Sequence, residues 1–266
     1  MRIERVSVFA VLQTFQDLIT PADPAQLGIG SDVPVEAKAC WESIPDADKK
    51  LEVKCVWKIG NRNKSQECEA ARQKVAEDSG RVPPEHRKTV ELRPAFAAAV
   101  AALPLAGELD SSAQEKMLLT GVPVDALPEI LNNGMNVRYC KQGNYGQGIY
   151  LAEDGAKCDQ YTGLPSKSFN NEKLMDRLQY PRPEDHPGDV NYILACRVAL
   201  GCPVRTNGRG RIPTCLDLGA TQRNGEGNAN RIYWTVRCSK EMCRCCCRCC
   251  GRCCCRCLAL EMQLFP

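Results

Sequence analysis

The chain has 266 residues, 44% of them hydrophobic, enough for one good core and a small second unit. Its 35 Lys and Arg against 32 Asp and Glu leave a net charge of +3 on a mixed-sign chain, so no general nucleic-acid field is expected. No apolar run approaches the roughly 20 residues that a membrane span needs.

In chain order, the first segment sets a basic start, RIER, before a mostly apolar run, VSVFAVL, as a short signal peptide does. No small-x-small cleavage site follows, Glu4 interrupts the basic start, and Val8, Val11, Leu12, Phe15 and Leu18 fall at helical spacing. An amphipathic core helix is expected, in an intracellular protein, nuclear or cytoplasmic. Residues 1–80 read as a mostly helical region of unassigned role, with a charged helical run from Ser65 to Gly80. Cys40, Cys55 and Cys68 form no C-x-x-C pair and have no histidine nearby, so no zinc site is expected there. Residues 81–110 read as a linker marked by Pro83 and Pro84, with a short buried helix over Ala95–Ala102.

Residues 111–237 carry the informative patterns. From Met117 to Arg138 the chain reads as a short strand, a turn at Gly121, a helix from about Val124 to Asn132 and a stop at Gly134. Leu127, Ile130 and Leu131 share one face of that helix. The stretch GNYGQGIYLAEDGAKCDQY, Gly143 to Tyr161, runs a glycine-dense turn into an apolar strand and then a polar helix start. Its glycines precede a strand, so it is not the dinucleotide fingerprint, in which the glycines follow a strand and open a helix. Alone it reads first as a hairpin turn feeding an ordinary strand. VNYILACRVALG, from Val190, is a long apolar strand ending at Gly201.

These three blocks, in this order over roughly 100 residues, resemble the catalytic domain of the poly(ADP-ribose) polymerase family. There they appear as L-F/W-H-G-T, then G-x-G-I-Y-F/L-A with S-K-S/C-x-x-Y, then M-x-L-C-R-V-A-L-G. The resemblance implies an ADP-ribosyltransferase fold with NAD+ as substrate and no metal requirement. It implies that Gly121 bonds the nicotinamide carboxamide through its main chain and that Cys158 stands where the family has a serine hydroxyl on that carboxamide. Tyr161 would stack on the nicotinamide ring, with Tyr150 lining the other side. Lys157 and Arg138 would approach the pyrophosphate or the adenosine end, as cations suit phosphate oxygens.

Two positions depart from the family pattern. Thr120 stands where the family has a histidine bonding the adenosine ribose; the histidines of this chain, His86 and His186, lie in segments that do not match the motif. Ile232, within NRIYWTV, stands at the place of the family's glutamate and cannot orient an acceptor ribose, so chain elongation is not expected. Cleavage at the nicotinamide carbon passes through an oxocarbenium-like state that wants negative charge nearby. Glu226 and Glu241 are the nearest acids in sequence, and neither matches a motif position.

The remaining segments are compositional. The loop from Arg205 to Arg211, RTNGRGR, is locally basic and reads as solvated, leaving a nucleic-acid partner without support. From Cys238 to Cys257 the chain places eleven cysteines, with Arg244, Arg248, Arg252 and Arg256 every fourth residue. Such thiolates suit soft metals, a disulfide framework is the weaker alternative inside a cell, and a simple repeat read in another frame explains the regularity best. Residues 238–266 are therefore read as a low-complexity tail, poorly ordered.

The expected architecture is α+β: an ADP-ribosyltransferase-type split antiparallel sheet with short flanking helices and a partly helical N-terminal region. The leading functional expectation is transfer of single ADP-ribose units from NAD+ to a protein side chain. A silent NAD-binding or interaction module on the same fold, and a thiolate metal-binding protein, are the alternatives.

Overall fold

A computed structural model describes residues 2–27, 35–45, 49–60, 62–87, 89–103, 109–136, 140, 142–143, 146–162, 178, 190–203, 234–236 and 260–265. Its elements are β1 (Arg2–Val6), α1 (Phe9–Ile19), α2 (Val35–Glu42), β2 (Val56–Gly60), α3 (Arg62–Gly80), α4 (Pro94–Ala101), β3 (Glu115–Val122) and α5 (Leu127–Asn133). There follow β4 (Gln142–Gly143), β5 (Gly146–Gln147), β6 (Ile149–Leu151), α6 (Gly155–Asp159), β7 (Tyr192–Ala199), β8 (Trp234–Val236) and β9 (Leu260–Phe265). The protein is α+β, and every described strand pair is antiparallel. Among the described residues no helix is long and apolar enough to cross a membrane.

The main sheet has the order β1-β2-β9-β7-β3. Strands β3 and β7 pair over their whole length, from Glu115 opposite Ala199 to Val122 opposite Tyr192. Strand β7 is apolar at nearly every position, and β3 is apolar at Met117, Leu118, Leu119 and Val122, because both faces of the sheet are covered. Alternation along β3 divides the core. Leu118 and Val122 pack with Trp57, Leu194, Cys196 and α5 residues Leu127 and Leu131. Met117 and Leu119 pack on the other face with Phe15 and Leu18 of α1, Phe96 and Val100 of α4, and Cys158 of α6.

In the N-terminal region helices α1, α2 and α3 outweigh the strands, but two strands join them. Residues 2–6 and 56–60 are strands of the main sheet, and β2 reaches β7 only through β9. Strand β1 lies on the sheet edge and mixes Ile3 among arginines and a glutamate, so its short alternation merges with the helical pattern that follows. That helix begins one residue after Val8, which is 58% exposed, while Val11, Phe15 and Leu18 are buried as expected.

Gly121 is not a turn. It lies inside β3, opposite Ile193. Gly134 does end α5, at φ 74°, the left-handed conformation that suits a residue without Cβ. Of the segment read as a low-complexity tail, residues 260–265 lie beyond the cysteine-rich stretch and form β9, bonded between β2 and β7. The cysteines from Cys238 to Cys257 lie outside the described residues.

Candidate functional site

The site is organised by the end of β3. In an antiparallel ladder, the main-chain groups of successive residues point to alternate neighbours. Leu119 exchanges two 2.8 Å bonds with Ala152, just past β6. Thr120 is therefore turned to β7, and Gly121 turns its N–H and C=O back toward β6. Carrying the same register two residues further along both strands sets Tyr150 across from Gly121. Tyr150 itself is half-buried and pairs with Thr235 of β8 on its other side.

Helix α6 closes over that point. Asp154 caps it, accepting a 2.9 Å bond from the Ala156 amide. Two glycines let it fit. A Cβ on Gly155 would lie 1.9 Å from the Ile19 carbonyl oxygen, and a Cβ on Gly121 would lie 1.9 Å from the Cys158 carbonyl oxygen and 3.1 Å from Thr162 Cγ2. Arg93, at the start of α4, ties down the approach to the helix. Its amide bonds Glu153 Oε2 at 2.7 Å, its guanidinium bonds the Glu153 carbonyl, and it lies 3.8 Å from Asp154 Oδ2.

Cys158 is buried, 2% exposed. Burial, then the charges of Asp154, Cys196 and Asp159, push its thiol well above the ordinary range, while a backbone hydrogen bond with Gly121 acts the other way. The thiol is therefore neutral at physiological pH and acts as a small packing group rather than a nucleophile. Lys157 and Tyr161 lie outward. Lys157 Nζ sits 4.7 Å from the centroid of the Tyr161 ring and donates a 2.6 Å bond to Gln160 Oε1. Tyr161 is 37% exposed, and so presents a ring held by a fixed cation.

The structure thus brings Gly121, Tyr150, Lys157, Cys158 and Tyr161 to one corner. Thr120 is adjacent, yet alternation places its side chain on the opposite face of β3, the face of Leu118 and Val122. Its hydroxyl lies 3.5 Å from the Gly121 carbonyl oxygen. Arg138, Ile232, Glu226, Glu241, His186 and the loop from Arg205 to Arg211 lie outside the described residues. Among the described residues no group of three His, Cys, Asp or Glu is placed to hold a metal ion.

Sequence reasoning passed over four contributors: Trp41, Arg93, Glu153 and Asp159. The Trp41 indole donates a 3.1 Å bond to Asp159 Oδ2, joining α2 to α6 across 118 residues of chain. Burial raises the Asp159 carboxyl from 3.8 to about 6, against the opposing effect of that bond. Asp159 follows the motif cysteine directly, but a partner so distant in sequence leaves no local signal. No protein-family model matches the chain, and no curated protein matches it.

Proposed function

We propose that the protein binds NAD+ at the corner formed by β3, β6 and α6, on an ADP-ribosyltransferase-type split sheet, and transfers single ADP-ribose units to a protein side chain. One observation carries this reading: just past the Leu119–Ala152 bridge Gly121 turns its main-chain groups toward Tyr150, at the end of β3 that α6 covers, and α6 leads into the Lys157–Tyr161 pair. A carboxamide needs one donor and one acceptor at fixed separation; Gly121 carries both, and the ligand would take them over from the Cys158 thiol and the Thr120 hydroxyl. Tyr161 offers the aromatic face for the nicotinamide ring, with Tyr150 across from Gly121. Lys157 supplies positive charge beside that face, as an anionic dinucleotide requires. Cys158, neutral and buried, then contributes shape and backing rather than a reacting group.

The transfer breaks the bond between nicotinamide and ribose and joins the ribose carbon to the acceptor. Positive charge develops on the ribose as nicotinamide leaves. With Ile232 at the glutamate's place, elongation of a first ADP-ribose is not supported, which favours single transfers.

A second reading, NAD+ binding without turnover, is favoured by Thr120, whose side chain lies on the face of β3 away from Cys158. Labelled NAD+ separates the two. Transfer predicts label on protein together with free nicotinamide. Saturable binding with neither product selects the silent module, and no binding at all overturns both.

A further inference from the structure

Helix α6 is pinned from two sides. On one side the Cys158 carbonyl and Thr162 sit against Gly121. On the other the Trp41 indole holds the Asp159 carboxylate at 3.1 Å. The two sides are linked, since Thr162 Oγ1 donates a 2.8 Å bond to the Asp159 carbonyl while its methyl group packs toward Gly121. Lys157 lies two residues before Asp159 and Tyr161 two residues after it. Any shift at Asp159 therefore moves the paired cation and ring.

We infer that Asp159 is a positioning residue, and that its hydrogen bond from Trp41 is a proton-sensitive latch by which α2 sets the placement of Lys157 and Tyr161. The consequence for NAD+ rests on the functional reading above; the latch itself does not. A carboxylate accepts from an indole N–H more strongly than a carboxylic acid does, so protonation loosens the latch. The transition falls where Asp159 titrates, near pH 6.

Charged groups on the surrounding elements do not set that value. Helix α6 packs on α1, β3 and the turn at residues 24–26. Those elements carry Asp17, Glu115, Lys116 and, beside the turn, Asp23; α2 carries Glu36, Lys38 and Glu42, and α6 has Lys157, with Asp154 as its cap. The balance at Asp159 is burial first and the Trp41 bond second.

The test is tryptophan fluorescence of the full chain, without ligand, titrated from about pH 4.5 to about 8. Wild type is expected to show a transition near pH 6 that is lost in Asp159→Asn, which keeps an acceptor but cannot titrate, and in Trp41→Phe, which removes the reporter and the donor. No transition in wild type, or one that persists unchanged in Asp159→Asn, overturns the latch. Should Asp159→Asn fail to fold, the difference between wild type and Trp41→Phe decides alone. The functional consequence is read as NAD+ affinity, expected to weaken about threefold or more on passing below pH 6 in wild type and to stay flat in Asp159→Asn. An equal pH dependence in both proteins removes the positioning role. A chain that shows the transition yet binds no NAD+ keeps the latch and loses the ADP-ribosyl reading.

Discussion

The two ends of β3 are held by opposite means. At the start, Glu115 is 6% exposed and accepts a forked pair of bonds from Arg197, at 2.7 and 3.2 Å. Arg72 of α3 lies 3.5 Å from the same carboxylate, and the Asp110 amide donates to it at 2.9 Å. At the other end, Gly121 contributes no side chain, and the Cys158 main chain occupies the space. The first end joins α3, β3 and β7 by charge and hydrogen bonds that partly survive a change of shape. The second joins β3 to α6 by the absence of atoms and tolerates none added. The rigid end anchors the sheet, and the fitted end positions the candidate site.

The sharpest way to break this contrast is a single methyl group. Gly121→Ala places a Cβ at 1.9 Å from a main-chain oxygen, so α6 must move as a unit. The expected loss is about 3 kcal/mol or more, read by denaturant unfolding, since overpacking against backbone cannot be relieved by a rotamer change. Gly155→Ala meets the Ile19 carbonyl in the same way and should behave alike. An unperturbed Gly121→Ala protein would mean that α6 does not sit on β3 as described.

The charged end should fail more gently. Glu115→Gln keeps the volume and two acceptor or donor sites but leaves the Arg197 and Arg72 guanidinium groups facing a neutral amide. An expected loss of about 2 kcal/mol follows from exchanging charge-assisted bonds for neutral ones. Both arginine side chains keep some exposure, 17% and 21%, which holds the loss below that of a fully buried pair. Equal losses for Glu115→Gln and Gly121→Ala would erase the distinction between the two ends.

Legibility in the sequence follows the same division. Helix α1, the run from Leu127 to Gly134, β7 and the glycine-led entry to β6 were readable because each carries a local period or a stop signal. Gly121 reads as a turn because a glycine signals a break; only the tertiary contact with Cys158 explains why it sits within the strand. Strands β1, β2 and β9 were not legible. β1 is a charged edge, and β2 is five residues whose order in the sheet depends on a C-terminal strand some 200 residues on. Of the residues that motif spacing singles out, Gly121, Tyr150, Lys157, Cys158 and Tyr161 share one corner. The support of that corner from Trp41 and Arg93 was not legible, because each reaches the site from a segment far away in the chain.

Asp159→Asn sharpens the comparison by acting with the opposite sign. A folded-state carboxyl near 6 against an ordinary 3.8 means the folded protein binds this proton more tightly than the unfolded one. Stability from this group is present below pH 3.8 and is lost as pH rises toward 6. Roughly two units at about 1.4 kcal/mol each bound the cost at about 3 kcal/mol. Partial exposure of the carboxylate reduces the expected gain from Asp159→Asn near neutral pH to about 1–2 kcal/mol. Thermal unfolding should show the variant above wild type near neutral pH and the gap closing toward pH 4. A gap of constant size would assign the effect to packing instead.

The smallest expected change tests what the fitted end is for. Lys157→Met keeps the stem of the side chain but removes the cation over the Tyr161 ring and the bond to Gln160. At a partly exposed site the cation–ring contact is worth about 0.5–1 kcal/mol, so the melting temperature should move by only a few degrees. NAD+ affinity should fall further than stability, because the same ammonium is the positive charge offered beside the ring. If affinity and stability fall in parallel, Lys157 serves only to hold Tyr161 in place. If affinity falls alone, the amine meets the ligand, and the corner made possible by Gly121 is a binding site as well as a packing one.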